Sequence, residues 1–284
     1  MKMVVITGAS SGIGRSAAEY LAGRGWTVLA GVRKPADGEA LAGADGDIRP
    51  LILDVADEES IAAATVRVSE LLEGRTLAGL VNNAGIAEMG PLAIQPMETV
   101  RKHFEVNLFG ALACSQAFAP LLGMDRARQG PPGRIVNITS VGGVIASPFL
   151  GAYTATKHAL ESVTDTLRRE LMIYGIDAIA VGPGAVKTPI WDKAEEANDG
   201  APYPDSDWAE AIGKFSETML EGGRTGLEPD TVSAVIETAL SAKKPKARYA
   251  PVPDKLTNWT IARRLPKRWL DKVFAGRFGL KKPD

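Results

Sequence analysis

Met3-Val4-Val5-Ile6-Thr7-Gly8-Ala9-Ser10-Ser11-Gly12-Ile13-Gly14 decides the architecture of this chain. A short aliphatic run, rich in β-branched side chains, passes into a glycine-rich turn and then into a helical pattern reaching about Arg24. That is a strand–turn–helix unit, and the remaining sequence repeats its logic. Further strands are expected at Thr27 to Val32, Leu51 to Leu53, Leu77 to Asn82, Arg134 to Ile138, Asp177 to Val181 and near Arg248 to Pro251. Several are apolar throughout, which suits strands covered on both faces. Helical periodicity occupies the stretches Glu58 to Leu72, Met97 to Leu122, Tyr153 to Tyr174, Asp207 to Leu220 and Pro229 to Ala242. Such alternation predicts an α/β fold: a doubly wound parallel sheet of about seven strands with right-handed crossovers and helices on both faces.

The chain has 284 residues, 45% hydrophobic and 24% charged, with 30 Gly, a composition that supplies one sizeable core and excludes disorder, collagen and coiled coil. One cysteine, Cys114, and two histidines leave no internal disulfide and no soft-metal cluster, so no metal is expected. No apolar run reaches the length of a membrane span, and the first strand starts almost at once, so a cytoplasmic protein is expected. The net charge of −1 gives no reason to expect nucleic acid. That average hides an asymmetry: from Lys243 onward 13 Lys and Arg face 3 acids, a net of +10, which leaves −11 on residues 1–242.

In the opening turn, glycines permit tight reversal and let backbone N–H groups approach an anionic pyrophosphate at the N-terminus of the first helix. The candidate contacts are Gly8, Ser10, Ser11, Gly12, Ile13 and Gly14. The spacing is G-x-x-x-G-x-G with no Gly-Lys-Ser/Thr, which argues against a P-loop nucleotidase. After the second strand come Arg33 and Lys34. An acid there would bind the ribose 2′-hydroxyl of NAD, whereas a cation pairs with the 2′-phosphate of NADP. Arg33, helped by Lys34, therefore points to NADP(H), with NAD(H) as the alternative. Asp54 and Val55, closing the third strand, either flank the adenine or, in the case of Asp54, cap the next helix.

Tyr153-Thr-Ala-Thr-Lys157 sets a phenol and an ammonium one helical turn apart on one face, so the cation can lower the phenol's pKa and make it a usable proton donor. Asn137-Ile-Thr-Ser140 ends a strand and brings a hydroxyl to the sheet edge where the phosphate cradle lies. Taken singly, Asn107 also reads as a satisfied core amide, Ser140 as a turn cap and Tyr153 as a packing aromatic. Their joint occurrence favours a site. His103 and His158 read as surface or packed residues, Cys114 as a small core residue, and no Gly-x-Ser-x-Gly elbow supports a hydrolase.

From the first strand to about Thr188 the motifs, in order, resemble the short-chain dehydrogenase/reductase family: Thr7-Gly8…Gly12-Ile13-Gly14, Asn82-Asn-Ala-Gly85, Asn107, Ser140, Tyr153-x-x-x-Lys157 and Pro183-Gly184…Thr188. The resemblance implies a single Rossmann-type domain that interconverts a carbonyl and an alcohol by hydride transfer. It implies that Tyr153 is the general acid/base, that Ser140 bonds the substrate oxygen, that Lys157 grips the nicotinamide ribose and tunes Tyr153, and that Asn107 holds a relay water. By the same resemblance Asn83, Ala84 and Gly85 border the adenosine side of the cofactor. Pro183, Gly184, Val186 and Thr188 also belong to the cofactor site by this resemblance, Val186 and Thr188 contacting the carboxamide. A homodimer or homotetramer is the family-based expectation.

Residues 1–252 are expected to form the catalytic body, with a substrate loop at about 190–225, and residues 253–284 a basic amphipathic, helical extension interrupted by Pro266. Ile190 to Asp205 reads as a surface loop, either a substrate lid beyond the carboxyl edge of the sheet or an idle insertion. The extension allows three roles: a structural cover on the acidic body, a wall over an apolar pocket, or a peripheral contact with an anionic membrane. Its form resembles that of the family's steroid and retinoid branch. Val144, Phe149, Ile190 and Trp191 are the candidate pocket residues, and their apolar character favours a hydrophobic ketone, aldehyde or secondary alcohol. The competing functions are an NAD(H)-dependent alcohol or hydroxysteroid dehydrogenase, a non-catalytic dinucleotide sensor, and an epimerase or dehydratase that recycles its cofactor.

Overall fold

Residues 2–43, 45–190 and 203–281 are described by the computed structural model. Its strands are β1 (Lys2–Ile6), β2 (Trp26–Val32), β3 (Asp47–Ile52), β4 (Gly79–Asn82), β5 (Arg134–Ile138), β6 (Asp177–Val181) and β7 (Arg248–Tyr249). All pair in parallel, in the order β3-β2-β1-β4-β5-β6-β7. The winding direction reverses between β1 and β4, which opens a crevice beyond their carboxyl ends.

Side-chain alternation divides the core. Val4 and Ile6 of β1 join Val81, Val136, Ile138, Ile179 and Val181 on one face, under α1 (Gly12–Ala22) and α8 (Pro229–Ser241). Met3 and Val5 point the other way, with Leu80, Ile135 and Ala178, under α3 (Glu58–Leu72) and α5 (Gly110–Phe118). Every residue of β2 is buried, which explains its uninterrupted apolar run. The Ser16 hydroxyl bonds Asp230 and Ser233 and ties α1 to α8.

Three elements differ from expectation. β3 begins at Asp47, ahead of Leu51, because Thr27 donates to Asp47 and extends the ladder with polar residues. A short helix, α2 (Pro35–Ala42), escapes hydrophobic pattern reading because only Gly38 and Leu41 are buried among its described side chains. The Met97 to Leu122 pattern is not one helix. α4 (Met97–Phe104) enters a wider turn over Glu105–Phe109, where the Gly110 N–H reaches back to the Glu105 carbonyl, and only then does α5 begin. Gly110 is required there, since a Cβ would lie 2.7 Å from the Val55 carbonyl oxygen.

α6 (Gly151–Glu170) follows β5, and α7 (Ala209–Thr225) lies within the stretch expected as a substrate loop. The Ile190 to Asp205 surface-loop expectation falls largely outside the described residues. Beyond β7 the chain makes a wide turn over Leu256–Ile261 and, after Pro266, forms α9 (Lys267–Phe278). Trp259 and Phe278 are buried against the body, so this part of the basic segment is packed rather than free. No described helix is long and apolar enough to cross a membrane.

Candidate active site

The glycine-rich turn is fastened to the end of β4. The Thr7 hydroxyl accepts from the N–H groups of Asn83 and Ala84, each at 3.0 Å, while the Asn83 amide donates to the Thr7 and Gly8 carbonyls, also at 3.0 Å. Gly8 has φ +65, and a Cβ there would sit 2.8 Å from the Ala84 Cα. Only glycine satisfies both the torsion and the contact. Ser11 is the N-cap of α1 but makes no side-chain cap, and the first turn carries no acid. The first-turn amides have no intrahelical acceptors, so the helix end presents donors and positive potential to an anion. Thr188 reaches this turn from beyond β6: a Cβ on Gly12 would lie 3.2 Å from it. Val186 is buried and bridges to Leu227; the Gly184 N–H is held by the Pro251 carbonyl, and the Pro183 carbonyl accepts from Val141.

At the end of β2, Arg33 and Lys34 are exposed, and neither side chain has a hydrogen bond or ion pair to another described residue, while the Lys34 carbonyl accepts from the Asp37 N–H. Asp54 accepts from the Ala56 N–H and shapes the turn before α3, but Asp57 is the helix cap, bonded by Glu59 and Ser60. Val55 is buried against the other side of the turn.

Tyr153, Lys157 and Ser140 converge at the carboxyl edge of β5. Tyr153 is half-buried and hydrogen-bonded to Ser140, whose hydroxyl also accepts from the Gly142 N–H at 2.9 Å. Lys157 is buried, its Nζ 5.6 Å from the Tyr153 ring centre and donating to the Ile138 carbonyl at 2.9 Å. Burial pulls its pKa down to about 8, opposed by Glu161 one turn along. The expected lowering of the phenol is not what this site does: burial raises the Tyr153 pKa, with the Ser140 bond opposing. The cation is committed to a main-chain oxygen, so desolvation dominates.

Asn107 sits on the wide turn between α4 and α5, fully buried. Its amide nitrogen donates to the Ile86 carbonyl (2.9 Å) and the Thr156 hydroxyl (3.2 Å), and its oxygen accepts from the Ile86 N–H (2.8 Å). The side chain thus binds the loop after β4 to α6, leaving one oxygen lone pair and the main chain to hold any water. Gly85 faces this junction, within 3.3 Å of the Asn107 oxygen and 3.7 Å of the Lys157 nitrogen as measured from an added Cβ.

A second layer escaped sequence reading. Arg248 of β7 pairs with Glu161 at 2.9 Å, donates to the Ser140 carbonyl at 3.1 Å, and lies 4.2 Å from the ring centre of Trp259. Thr139 donates to the same Glu161 carboxylate at 2.6 Å. The tail is therefore clamped to the backbone of the site through one guanidinium.

Of the expected pocket residues, Phe149 is buried and lines a cavity beside α6, Val144 is exposed and Ile190 half-buried without lining it, and Trp191 lies outside the described residues. Phe149 has φ +61, rare for a bulky residue. His103 is fully buried with a lowered pKa, bonded to the Thr99 carbonyl and the Glu88 N–H; His158 is exposed, and Cys114 is buried with its thiol pushed up to about 12. Both the packed imidazole and the thiol are chemically quiet. No cluster of three potential metal ligands occurs among the described residues.

Residues 2–199 match the short chain dehydrogenase family. The chain belongs to that family. Among relatives, it is 36% identical over 275 residues, 96% of each chain, to an NADPH-dependent 3-dehydrocapnine reductase of Ornithobacterium rhinotracheale. It is 34% identical over 282 residues to human retinol dehydrogenase 5, covering 95% of this chain and 86% of that one. A short-chain dehydrogenase structure from Streptomyces avermitilis superposes with TM-score 0.76 at 30% identity, covering 97% and 94% of the two chains. A Burkholderia phymatum family member in complex with NAD gives 0.78 at 26%, covering 96% and 95%. This short-chain dehydrogenase is thus a single-domain α/β oxidoreductase of Rossmann type.

Proposed function

We propose that this oxidoreductase interconverts a hydrophobic ketone or aldehyde and its alcohol, with NADP(H) as cofactor. The observation that carries the reading is the meeting of Tyr153, Ser140 and Lys157 at the sheet edge beside the glycine-rich turn. The residues fit a dinucleotide: an uncapped, acid-free helix N-terminus for the pyrophosphate, Thr188 and Val186 on the opposite wall, and a buried cation under the catalytic phenol. Bound there, the nicotinamide supplies or accepts the hydride.

The protein's own residues handle the oxygen and the proton. As the carbonyl carbon gains hydride, negative charge gathers on its oxygen; Ser140 and Tyr153 donate to it, and Tyr153 delivers the proton that completes the alcohol. A phenol held protonated by burial suits that acid role. Lys157, charged below about 8, supplies positive potential beneath Tyr153 and a donor for the ribose. In reverse, the phenolate takes the alcohol proton. Asn107 keeps Thr156 and the loop after β4 in register, so that Tyr153 and Gly85 hold their spacing.

For the choice of cofactor, the Arg33 and Lys34 side chains have no partner among the described residues where NAD-type ribose recognition needs an acid, and neither position carries one. The NADPH-dependent relative supports the same choice. The test is Tyr153→Phe assayed at the reduced-nicotinamide absorbance with apolar ketones. NADPH binding should persist while kcat falls by about a hundredfold or more; unchanged turnover refutes the acid assignment, and NADPH binding without turnover in the wild type across a broad panel favours a sensor.

A further inference from the structure

We infer that Arg248 and Glu161 are positioning residues for the reaction: together they set where the Ser140 hydroxyl stands relative to the Tyr153 phenol. The inference rests on the proposed carbonyl chemistry for its effect on rate, but the positioning can be read without it.

Ser140 and Tyr153 come from different elements. Ser140 follows β5 and Tyr153 belongs to the first turn of α6, so their bond depends on how the turn after β5 is fixed to that helix. On the sheet side main-chain bonds hold the turn: the Thr139 N–H donates to the Val181 carbonyl at 2.8 Å and the Val141 N–H to the Pro183 carbonyl at 2.9 Å. On the helix side Lys157 holds the Ile138 carbonyl, and the Arg248–Glu161 pair holds the next two residues. The Thr139 hydroxyl donates to Glu161 at 2.6 Å, and Arg248, bonded to the same carboxylate through Nε, sends Nη2 to the Ser140 carbonyl at 3.1 Å. That carbonyl also accepts from the Gly143 N–H at 3.0 Å. Both of its lone pairs are engaged, which fixes the rotation of the peptide beside the Ser140 side chain. Glu161 carries the position to the chemistry, for it stands on α6 one turn beyond Lys157 and about two beyond Tyr153.

The residue types suit alignment better than stability. An ion pair with 21% and 18% exposure gains little over apolar residues of the same volume, whereas a guanidinium is a rigid planar fork whose Nε and Nη2 reach two acceptors at a fixed angle. Its surroundings keep that fork in plane. Gly182 leaves the space it occupies, since a Cβ there would overlap Arg248 Nη2. The buried ring of Trp259 lies 4.2 Å from the Arg248 Cζ on one side, and Arg263 stands 5.2 Å from the same ring.

The experiment compares wild type, Ser140→Ala, Arg248→Met and the double variant by two readouts on the full chain. One is the Cζ carbon resonance of Tyr153 in protein labelled at that carbon of its five tyrosines, assigned by its loss in Tyr153→Phe. The other is steady-state oxidation of NADPH with acetophenone, or with whichever other apolar ketone is fastest, well below the melting temperature. Arg248→Met should shift the Tyr153 resonance in the same direction as Ser140→Ala, and should lower kcat by about tenfold or more with KM changed less than about threefold. In the Ser140→Ala background the same substitution should leave the resonance in place and lower kcat by less than about threefold, because residues acting through one group lose little more once that group is gone. A purely structural pair predicts an unchanged resonance and kcat in folded Arg248→Met, and action through Lys157 alone predicts equal effects with and without Ser140. Either result overturns the proposal, as does a Tyr153 resonance indifferent to Ser140→Ala. Should Arg248→Met fail to fold, Thr139→Val, which cuts the neighbouring link to Glu161 and spares Arg248, takes its place: the same pattern sustains the proposal and an unchanged resonance overturns it. If no apolar ketone turns over, the carbonyl reading fails, and the resonance decides the positioning alone.

Discussion

Replacing Arg248 by methionine should destabilise the protein through a stranded carboxylate rather than through lost packing. Glu161 would keep the Thr139 hydroxyl but lose the guanidinium that bonds it twice, at 2.9 and 3.1 Å. Breaking a fully buried pair from one side costs about 3–5 kcal/mol. Here the two side chains retain 21% and 18% exposure, so screening brings the expectation to about 2–3 kcal/mol. Unfolding entropy of about 2.1 cal/mol/K per residue gives roughly 0.6 kcal/mol/K for 284 residues, so the melting temperature should fall by about 3–5 °C. Scanning calorimetry on Arg248→Met, Glu161→Gln and the double variant provides the assay. The double variant should lose less than the sum of the singles, because no charge is left without a partner. A drop below about 1 °C for Arg248→Met, or strict additivity, would refute the clamp.

Three other outcomes are expected. Lys157 has a folded-state pKa near 8 against an ordinary 10.5, so the unfolded chain binds more protons between those values and stability of the cofactor-free protein rises with pH across that window. The gain amounts to about 3 kcal/mol, and denaturant titrations should show it in wild type but not in Lys157→Met. Arg33→Ala should weaken NADPH binding by about tenfold or more and leave NADH nearly unchanged, measured by fluorescence titration; equal effects on both would show that Arg33 does not select the phosphate. Trp269 and Val273 are 65% and 54% exposed on α9 beside Arg268 and Lys272, a surface suited to an anionic bilayer. If that face docks there, pelleting with phosphatidylserine vesicles should be lost on Trp269→Ser; absence of pelleting by the intact protein removes membrane docking.

Much of the fold was legible because its signals are local. A strand, a glycine turn and a helix follow one another within Met3–Gly14, and Tyr153 and Lys157 are neighbours by helical spacing. What escaped depends on contacts between distant residues or on a subtle change of period. The extra residue in the turn around Asn107 alters the helical ladder without disturbing the apolar pattern. Arg248 reaches Glu161 across 87 positions, and nothing in either local sequence announces the meeting. Phe149 was expected at a pocket and lines a cavity, and a pocket wall was one of the roles expected of the tail, but the aromatic pattern of α9 did not say that Phe274, Ala275 and Leu280 would line that cavity. The upward shift of Tyr153 was equally hidden: spacing reveals that a cation is near but not that its ammonium is occupied by the Ile138 carbonyl.

The backbone at Phe149 sets a trade-off for anyone seeking a sturdier protein. Its left-handed torsion costs about 1–2 kcal/mol that glycine would recover, yet deleting a buried phenyl ring forfeits about 3–5 kcal/mol, so the ring outweighs the twist beneath it. Stabilising this loop therefore calls for supporting the ring from behind, and relaxing the torsion alone would leave a looser loop on a weaker fold.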